Sequence, residues 1–312
     1  MNPFINPDCG NEIIRCSQIS ESKILELIRQ RLGDVSPSSP QGIGDDCAVF
    51  EPPLGESLLL TTDPVVHGIH FDNSHPPAAV GAKLLKRNLS DIAAMGGKPG
   101  PALLALAMGP DLRLDWLGEF IDGLAKACAQ YEVPLAGGDI TSAKQNTFTA
   151  TLTQTGYALH PVTRKGAVAE ASIWVTGQLG GSLPSNKHLY FEPRLEEGQW
   201  LAAQDTLLSM TDLSDGIAKD VLGLLPKGTQ AHLEPSSIPI AEDADNLHSA
   251  LTDGEDYELL FTLAPNNCLE EWPFSTPVTQ IGIIAEGSPE SILVNQADGK
   301  PLDTHRGYEH FS

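Results

Sequence analysis

Acidic side chains recur along this chain in settings that suit a cation. In "GIGDDCAVF", residues 42–50, Asp45 and Asp46 stand side by side behind a glycine turn and ahead of a short apolar run. Like charges so placed disfavour each other's ionised form unless a cation lies between them. "TTD" brings the hydroxyls of Thr61 and Thr62 and the carboxylate of Asp63 to the end of an expected buried strand. Asp91 follows in "KRNLSDIAAMGGKPG", and Asp139 in "LAGGDITSA", where Gly137 and Gly138 let the backbone come close to a ligand. Asp212 and Asp215 lie in "MTDLSDG", with Ser214 placed to cap the following helix. Taken singly, each reads as a turn or cap residue. Together, short carboxylates with neighbouring hydroxyls suit hard cations such as Mg²⁺, which retain waters and bridge phosphates.

Other chemistries find less support. The five cysteines, at positions 9, 16, 47, 128 and 268, form no CxxC pair for zinc or redox work and read as reduced thiols. The GxxxxGK[ST] phosphate loop, the protein-kinase motifs and a GxGxxG fingerprint opening a helix are all missing from the sequence. "HGIHFDNSH" offers His67, His70, Asp72 and His75 as an alternative transition-metal set, but the spacing fits no ligand helix and Pro64 opposes one. Nineteen Lys and Arg against 41 Asp and Glu give a net charge of −22, which argues against nucleic-acid and anionic-membrane partners. A polyphosphate ligand therefore needs metal ions as intermediaries. No apolar run is long enough to span a bilayer, and the first residues lack a signal-peptide pattern, so the expected location is the cytoplasm.

The elements that must position these groups mix strands and helices throughout, which indicates an α+β or α/β architecture, α+β being the expected class. "SESKILELIRQRLG" predicts a helix with Ile24, Leu27, Ile28 and Leu32 on one face, a serine cap at Ser20 or Ser22, and Gly33 as its stop. Beyond the linker-like "DVSPSSPQ", strands are expected at "CAVF", "SLLLTTD", "PALLALAMG", "VPLAGGD" and "TFTATLTQTGYAL", with helices over 77–95 and 114–130. "HPVTRKGAVAEAS" reads as a crossing between domains. The expected division is an N-terminal helix and linker (1–41), a mixed α/β sheet domain (42–160) and a C-terminal α/β sandwich-like domain (161–312).

In chain order, "GIGDDCAV", "TTDPVVHGIHF", "NLSDIAAMGGKP", "GGDITS", "TRKGA", "MTDLSDGIAKD" and "DGEDYELLF" resemble the motifs of thiamine-monophosphate kinase, a family within the aminoimidazole ribonucleotide synthetase-like ATP-binding superfamily. The resemblance implies ATP as co-substrate, thiamine monophosphate as acceptor, several Mg²⁺ ions, and a homodimer whose N-terminal sheets pair across a twofold axis. It implies Asp45, Thr61, Thr62, Asp63, Asp91, Asp139, Asp212 and Asp215 as metal ligands, with Asp91, Asp139 and Asp212 at the centre of the chemistry. It also implies Gly138, Asp139, Arg164 and Ser214 as ATP contacts, and His70, Glu255 and Tyr308 around the thiamine phosphate. The chain departs from the family in carrying His67 where Glu is usual, Asp253 where Gly is usual, and a short "GGSLPSNKHLYFEPR" segment.

The implied reaction agrees with the residue chemistry. A phosphate monoester has a second pKa near ~6 and is already a nucleophilic dianion at neutral pH, so no general base is required. The remaining task is neutralising and aligning two polyanions, which many carboxylate-bound metals and one arginine can do. Arg164 alone reads equally as a domain-crossing ion pair, and Tyr308 as a cover for the core. The alternatives kept open are another ATP-dependent synthetase of the superfamily and a non-catalytic thiamine-phosphate-binding module. Against two branches of that superfamily, "SPSSPQGIGDD" has no reactive Cys or Lys and the chain ends "EHFS" without a terminal cysteine.

Overall fold

The computed structural model describes residues 2–5, 14–38, 41–42, 47–269, 271–287 and 292–294. Asp45 and Tyr308 lie outside the described residues. The chain forms two compact units, Met1–Leu89 with Pro99–Tyr157, and Ser90–Lys98 with Ala158–Ser312.

The first unit begins with helix α1 (Glu21–Leu32), which buries Ile24, Ile28 and Leu32 at helical spacing. Ser20 is its N-cap residue, and Gly33 ends it with φ of 54°, a conformation that glycine adopts without cost. Strand β1 (Ser57–Val66), helix α2 (Pro77–Ala94), strand β2 (Lys98–Met108), helix α3 (Leu114–Gln130) and strands β3 (Leu135–Ser142) and β4 (Phe148–Ala158) follow. The strands make a four-stranded sheet in the order β1-β4-β2-β3. β2 and β3 run parallel, with Ala105 opposite Asp139. Phe71, Trp116, Phe120 and Phe148 form an aromatic core, with Trp116 and Phe148 4.8 Å apart edge to face.

Three expectations for this unit are corrected. Residues 48–50 of "CAVF" form no strand. Thr61, Thr62 and Asp63 sit inside β1 rather than at its end, and β1 is an edge strand of which only Leu59 and Val65 are buried. Pro64 within it fits an edge, where a missing N–H costs no ladder bond. At Gly138 the visible constraint is internal: with φ of 154°, an added Cβ would lie 1.7 Å from the Leu104 carbonyl oxygen of β2.

The second unit carries strands β5 (Ser172–Thr176), β6 (Leu207–Asp212), β7 (Thr229–Leu233), β8 (Leu259–Leu263), β9 (Val278–Glu286) and β10 (Ile292–Val294). They form a six-stranded sheet ordered β10-β7-β9-β5-β8-β6. β10 is parallel to β7, while β5, β6, β7, β8 and β9 pair antiparallel. Short helices α4 (Lys187–Tyr190), α5 (Leu195–Ala202), α6 (Ile217–Asp220) and α7 (Leu247–Thr252) complete it. Residues of β8 are buried throughout and alternate between two hydrophobic clusters, Leu260 in one and Leu259, Phe261 and Leu263 in the other. A central strand covered on both faces reads as a continuous apolar run. The second cluster also holds Ala93 and Ala94 from the last turn of α2. Gly198 of α5 allows that turn to approach, since a Cβ there would lie 2.2 Å from the Ala93 carbonyl oxygen.

Candidate functional site

In the second unit, the apolar contacts of Ala93 and Ala94 fix the end of α2, and Gly96 and Gly97 donate back to the carbonyls of Ala93 and Ile92 at 2.9 Å each. This turn presents Ser90 and Asp91. Ser90 Oγ donates to Asp212 Oδ2 at 2.8 Å, at the end of β6. Asp212 is only 3 % exposed. Burial raises its pKa well above the ordinary aspartate value, the charges of Asp91 and Asp220 raise it further, and Ser90 and Arg164 pull it back. Asp91, Asp212 and Asp220 thus share one electrostatic neighbourhood, with Arg164 as the cation acting on it.

The loop after β6 is built round Asp220. Its Oδ2 accepts the backbone N–H groups of Ser214 at 3.1 Å and Asp215 at 3.0 Å. Burial lifts the Asp220 pKa to about 7, against the lowering effect of these bonds and of Arg164. Asp215 itself pairs with Lys219 at 2.6 Å. The expected serine cap is corrected: the N-cap of α6 is Gly216, and Ser214 is held by its backbone instead. Its carbonyl accepts from Glu255 N at 2.8 Å, and the Leu213 carbonyl accepts from Tyr257 N at 2.8 Å. Asp220 and Ser90 were not singled out in the sequence; "MTDLSDGIAKD" contains Asp220, but only the fold shows that its carboxylate holds the Ser214–Asp215 backbone.

Glu255 and Tyr257 both adopt positive φ, 54° and 51°, without being glycine. Such backbone persists only where the surroundings enforce it, and it clusters at functional sites. Glu255 Oε2 lies 3.3 Å from His188 Nδ1, and its Oε1 accepts from Tyr257 Oη at 3.3 Å. The Tyr257 ring stacks on Phe191 with centroids 4.0 Å apart. A carboxylate beside stacked aromatic rings suits an organic cation.

Beside this segment lies a polar network centred on the buried Glu258. Arg194 donates to both oxygens of Glu258 at 2.7 and 2.8 Å, and Lys187 reaches Oε1 at 3.0 Å. Burial opposes ionisation of Glu258, but Arg194 and Lys187 outweigh it and hold the carboxyl below the ordinary glutamate value.

In the first unit, Asp63 pairs with Arg87 at 3.3 Å, and its N–H donates to Asn88 Oδ1 at 3.0 Å. Thr62 Oγ1 donates to the Leu152 carbonyl at 3.1 Å, and Asp139 is exposed on β3. His70 Nδ1 accepts from Val66 N at 3.1 Å, so its proton sits on Nε2. In the transition-metal set weighed above, His75 Nδ1 accepts from Asp72 N at 2.9 Å and His67 Nε2 faces Asn73 Oδ1 at 2.9 Å. Among the described residues, no three His, Cys, Asp or Glu side chains are grouped as a ready metal cage. A cavity of about 320 Å³ opens at the carboxyl ends of the parallel strands β2 and β3, lined by Ile19, Ile24, Met108, Ile140, Thr141 and Ser142 among others. No helix among the described residues is long and apolar enough to cross a membrane.

Residues 44–158 match the family described as AIR synthase related protein, N-terminal domain. A curated thiamine-monophosphate kinase from Rhodopirellula baltica is 34% identical over 282 residues, 84% of this chain and 88% of that protein. The chain belongs to the thiamine-monophosphate kinase family. Among solved structures, the thiamine-monophosphate kinase of Stenotrophomonas maltophilia superposes with a TM-score of 0.73 at 30% identity, covering 89% of this chain and 97% of that one. A ThiL structure complexed with AMPPCP and TMP gives 0.72 at 29% identity, covering 96% and 100%. As a member of this kinase family the chain is a phosphotransferase, and its mixed α/β build with two sheets matches these structures.

Proposed function

We propose that this chain transfers the γ-phosphoryl group of ATP to thiamine monophosphate, yielding thiamine diphosphate and ADP, in a Mg²⁺-dependent reaction. The observation that carries this reading is the buried Asp212, which shares its surroundings with Asp91 and Asp220 and has one hydroxyl donor, Ser90. A buried carboxylate such as Asp212, with a single hydroxyl donor and two acidic neighbours, calls for a cation, and an oxygen-only donor set fits a hard one. Asp91 and Asp212 would hold Mg²⁺, with Asp45, Thr61, Thr62, Asp63, Asp139 and Asp215 completing the ligands of further ions. When bound, Mg²⁺ supplies neutralisation of phosphate charge.

The chain's own groups supply the rest. Arg164 lies close enough to lower the pKa of both Asp212 and Asp220, and among the described residues it makes no ion pair within 4.0 Å. It offers its guanidinium to a phosphate oxygen. Gly138 and Ser214 complete the ATP contacts. The cavity of about 320 Å³ at the carboxyl ends of β2 and β3 has the apolar lining for a purine ring, at the strand ends where α/β sheets bind ligands. Neutral His70 donates from Nε2 to the monoester, while Glu255, with Tyr257 and Phe191 beside it, faces the thiazolium cation. Tyr308 is assigned to the same substrate on the family motif alone. No side chain needs to remove a proton from the dianionic nucleophile.

Dimerisation through the first unit is part of the proposal. The edge strand β1 exposes Leu58 (53 %) and Leu60 (68 %), and β2 exposes Leu103 (46 %), an apolar set that a second copy would cover.

The decisive experiment supplies ATP and Mg²⁺ with thiamine monophosphate, free thiamine or an aminoimidazole precursor and measures the phosphorylated product. Thiamine diphosphate formed only from the monophosphate, lost on chelation and restored by Mg²⁺, is the expected result. Asp91→Asn should lower turnover at least about 100-fold with an unchanged fold. Turnover of free thiamine alone would reject the reading.

A further inference from the structure

Residues 2–5 are held by hydrogen bonds from two arginines and from within the segment. Arg113, 3 % exposed, donates its backbone N–H to the Pro3 carbonyl at 2.9 Å and its Nη1 to those of Asn2 at 2.9 Å and Ile5 at 3.3 Å. Arg15 Nη1 donates to the Phe4 carbonyl at 2.5 Å and the Asp111 carbonyl at 2.6 Å. Asn2 Oδ1 accepts from the N–H groups of Phe4 and Ile5 at 2.8 and 3.1 Å. Four successive carbonyls are therefore satisfied, and two of only 19 cationic Lys and Arg residues are committed to this segment.

What this scaffold delivers is the Phe4 ring. Phe4 is 7 % exposed and meets the His67 ring edge to face at 5.3 Å, and His67 in turn meets Phe71 at 5.4 Å. His67 opens the turn that carries His70. In that turn Gly68 N bonds the Phe71 carbonyl at 2.8 Å, His70 N bonds the Val66 carbonyl at 2.9 Å, and Lys83 Nζ, fully buried, bonds the His70 carbonyl at 3.0 Å. The turn is thus fixed from beneath by Lys83 and Phe71, and His67 is pressed onto Phe71 from the other side by Phe4.

We infer that Phe4 is a positioning residue, which through His67 holds the His70 turn in the geometry that binds the phosphate-monoester substrate. The inference rests on the reading of His70 as a substrate contact. It differs from a general packing role because the ring of Phe4 meets the ring of His67, the residue that opens the turn. Loosening it should therefore weaken the acceptor's binding while leaving ATP and the chemical step alone.

The test is steady-state kinetics on the full-length protein. Phe4→Ala should raise KM for thiamine monophosphate about fivefold or more, with kcat and KM for ATP changed less than about twofold. Phe4→Tyr, which keeps the ring edge, should restore the wild-type KM. If Phe4→Ala fails to fold, Phe4→Leu reads the same split. An unchanged KM for the acceptor, or equal changes for both substrates, overturns the inference. His70→Asn separates the two layers. If it raises the acceptor KM and Phe4→Ala does not, Phe4 has no positioning role. If it leaves the acceptor KM at the wild-type value, the assignment of His70 falls and this inference with it.

Discussion

Asp256 lies in the floor of the Glu255 segment, 1 % exposed. Its Oδ1 accepts from Gly180 N at 2.9 Å and Ser182 Oγ at 2.8 Å, while Lys187 stands 4.0 Å away and closer to Glu258. Burial dominates, against the pull of Lys187 and the two hydrogen bonds, and lifts its pKa from 3.8 to about 6. The folded state therefore holds this proton more tightly than the unfolded chain does, so the associated stability is present below pH ~4 and is lost as pH rises through ~6. A rise from 3.8 to about 6 corresponds to about 3 kcal/mol between the protonation states. Asp256→Asn keeps the acceptor oxygen for Gly180 and Ser182 and removes the ionisation. Chemical denaturation of both proteins across pH should then show the variant gaining on wild type by roughly 2 kcal/mol between pH 4 and pH 7, with little further change above pH ~7. A difference that stays flat with pH, or a variant that loses ground as pH rises, would refute the assignment of burial as the dominant force on this carboxylate.

Arg194→Met leaves Glu258, 1 % exposed, with Lys187 as its remaining cation, and should cost about 3–5 kcal/mol in the same denaturation assay. Gly138→Ala drives a Cβ to 1.7 Å from the Leu104 carbonyl oxygen, whereas at Gly137 the nearest atom is a Leu103 methyl at 3.5 Å. Melting should separate the two alanine variants, with more than about 2 kcal/mol lost at position 138 and under about 1 kcal/mol at 137.

Local signals in the sequence carried well where the deciding interaction was local. The face of α1, with Ile24, Ile28 and Leu32 buried and Gly33 in a positive-φ stop, follows from spacing and one glycine. The helix expected over 114–130 is α3, because its apolar period matches a single buried face. "CAVF" shows the limit: a short β-prone run becomes a strand only if a neighbour pairs with it, and pairing is not written in four residues. Pairing position likewise decided the character of β1, whose leucines suggested burial but which sits at an edge. In the candidate site, motif spacing picked out Asp91 and Asp212 but not the Ser90 hydroxyl, which reaches across 122 positions of chain to bond Asp212. Asp220 escaped for a related reason. Its work is to hold two backbone N–H groups, and no side-chain pattern announces that role.

The nine residues Ser90–Lys98 belong with the unit that otherwise starts at Ala158. A gene fragment encoding only the later stretch would lack Ala93 and Ala94 and leave part of the face formed by Leu201, Met210, Leu259 and Phe261 open to water. Neither unit can be severed by a single cut in the polypeptide. Ribosomal synthesis must therefore pass position 158 before the end of α2 meets its packing partners, which ties maturation of the Asp91 region to late-made sequence.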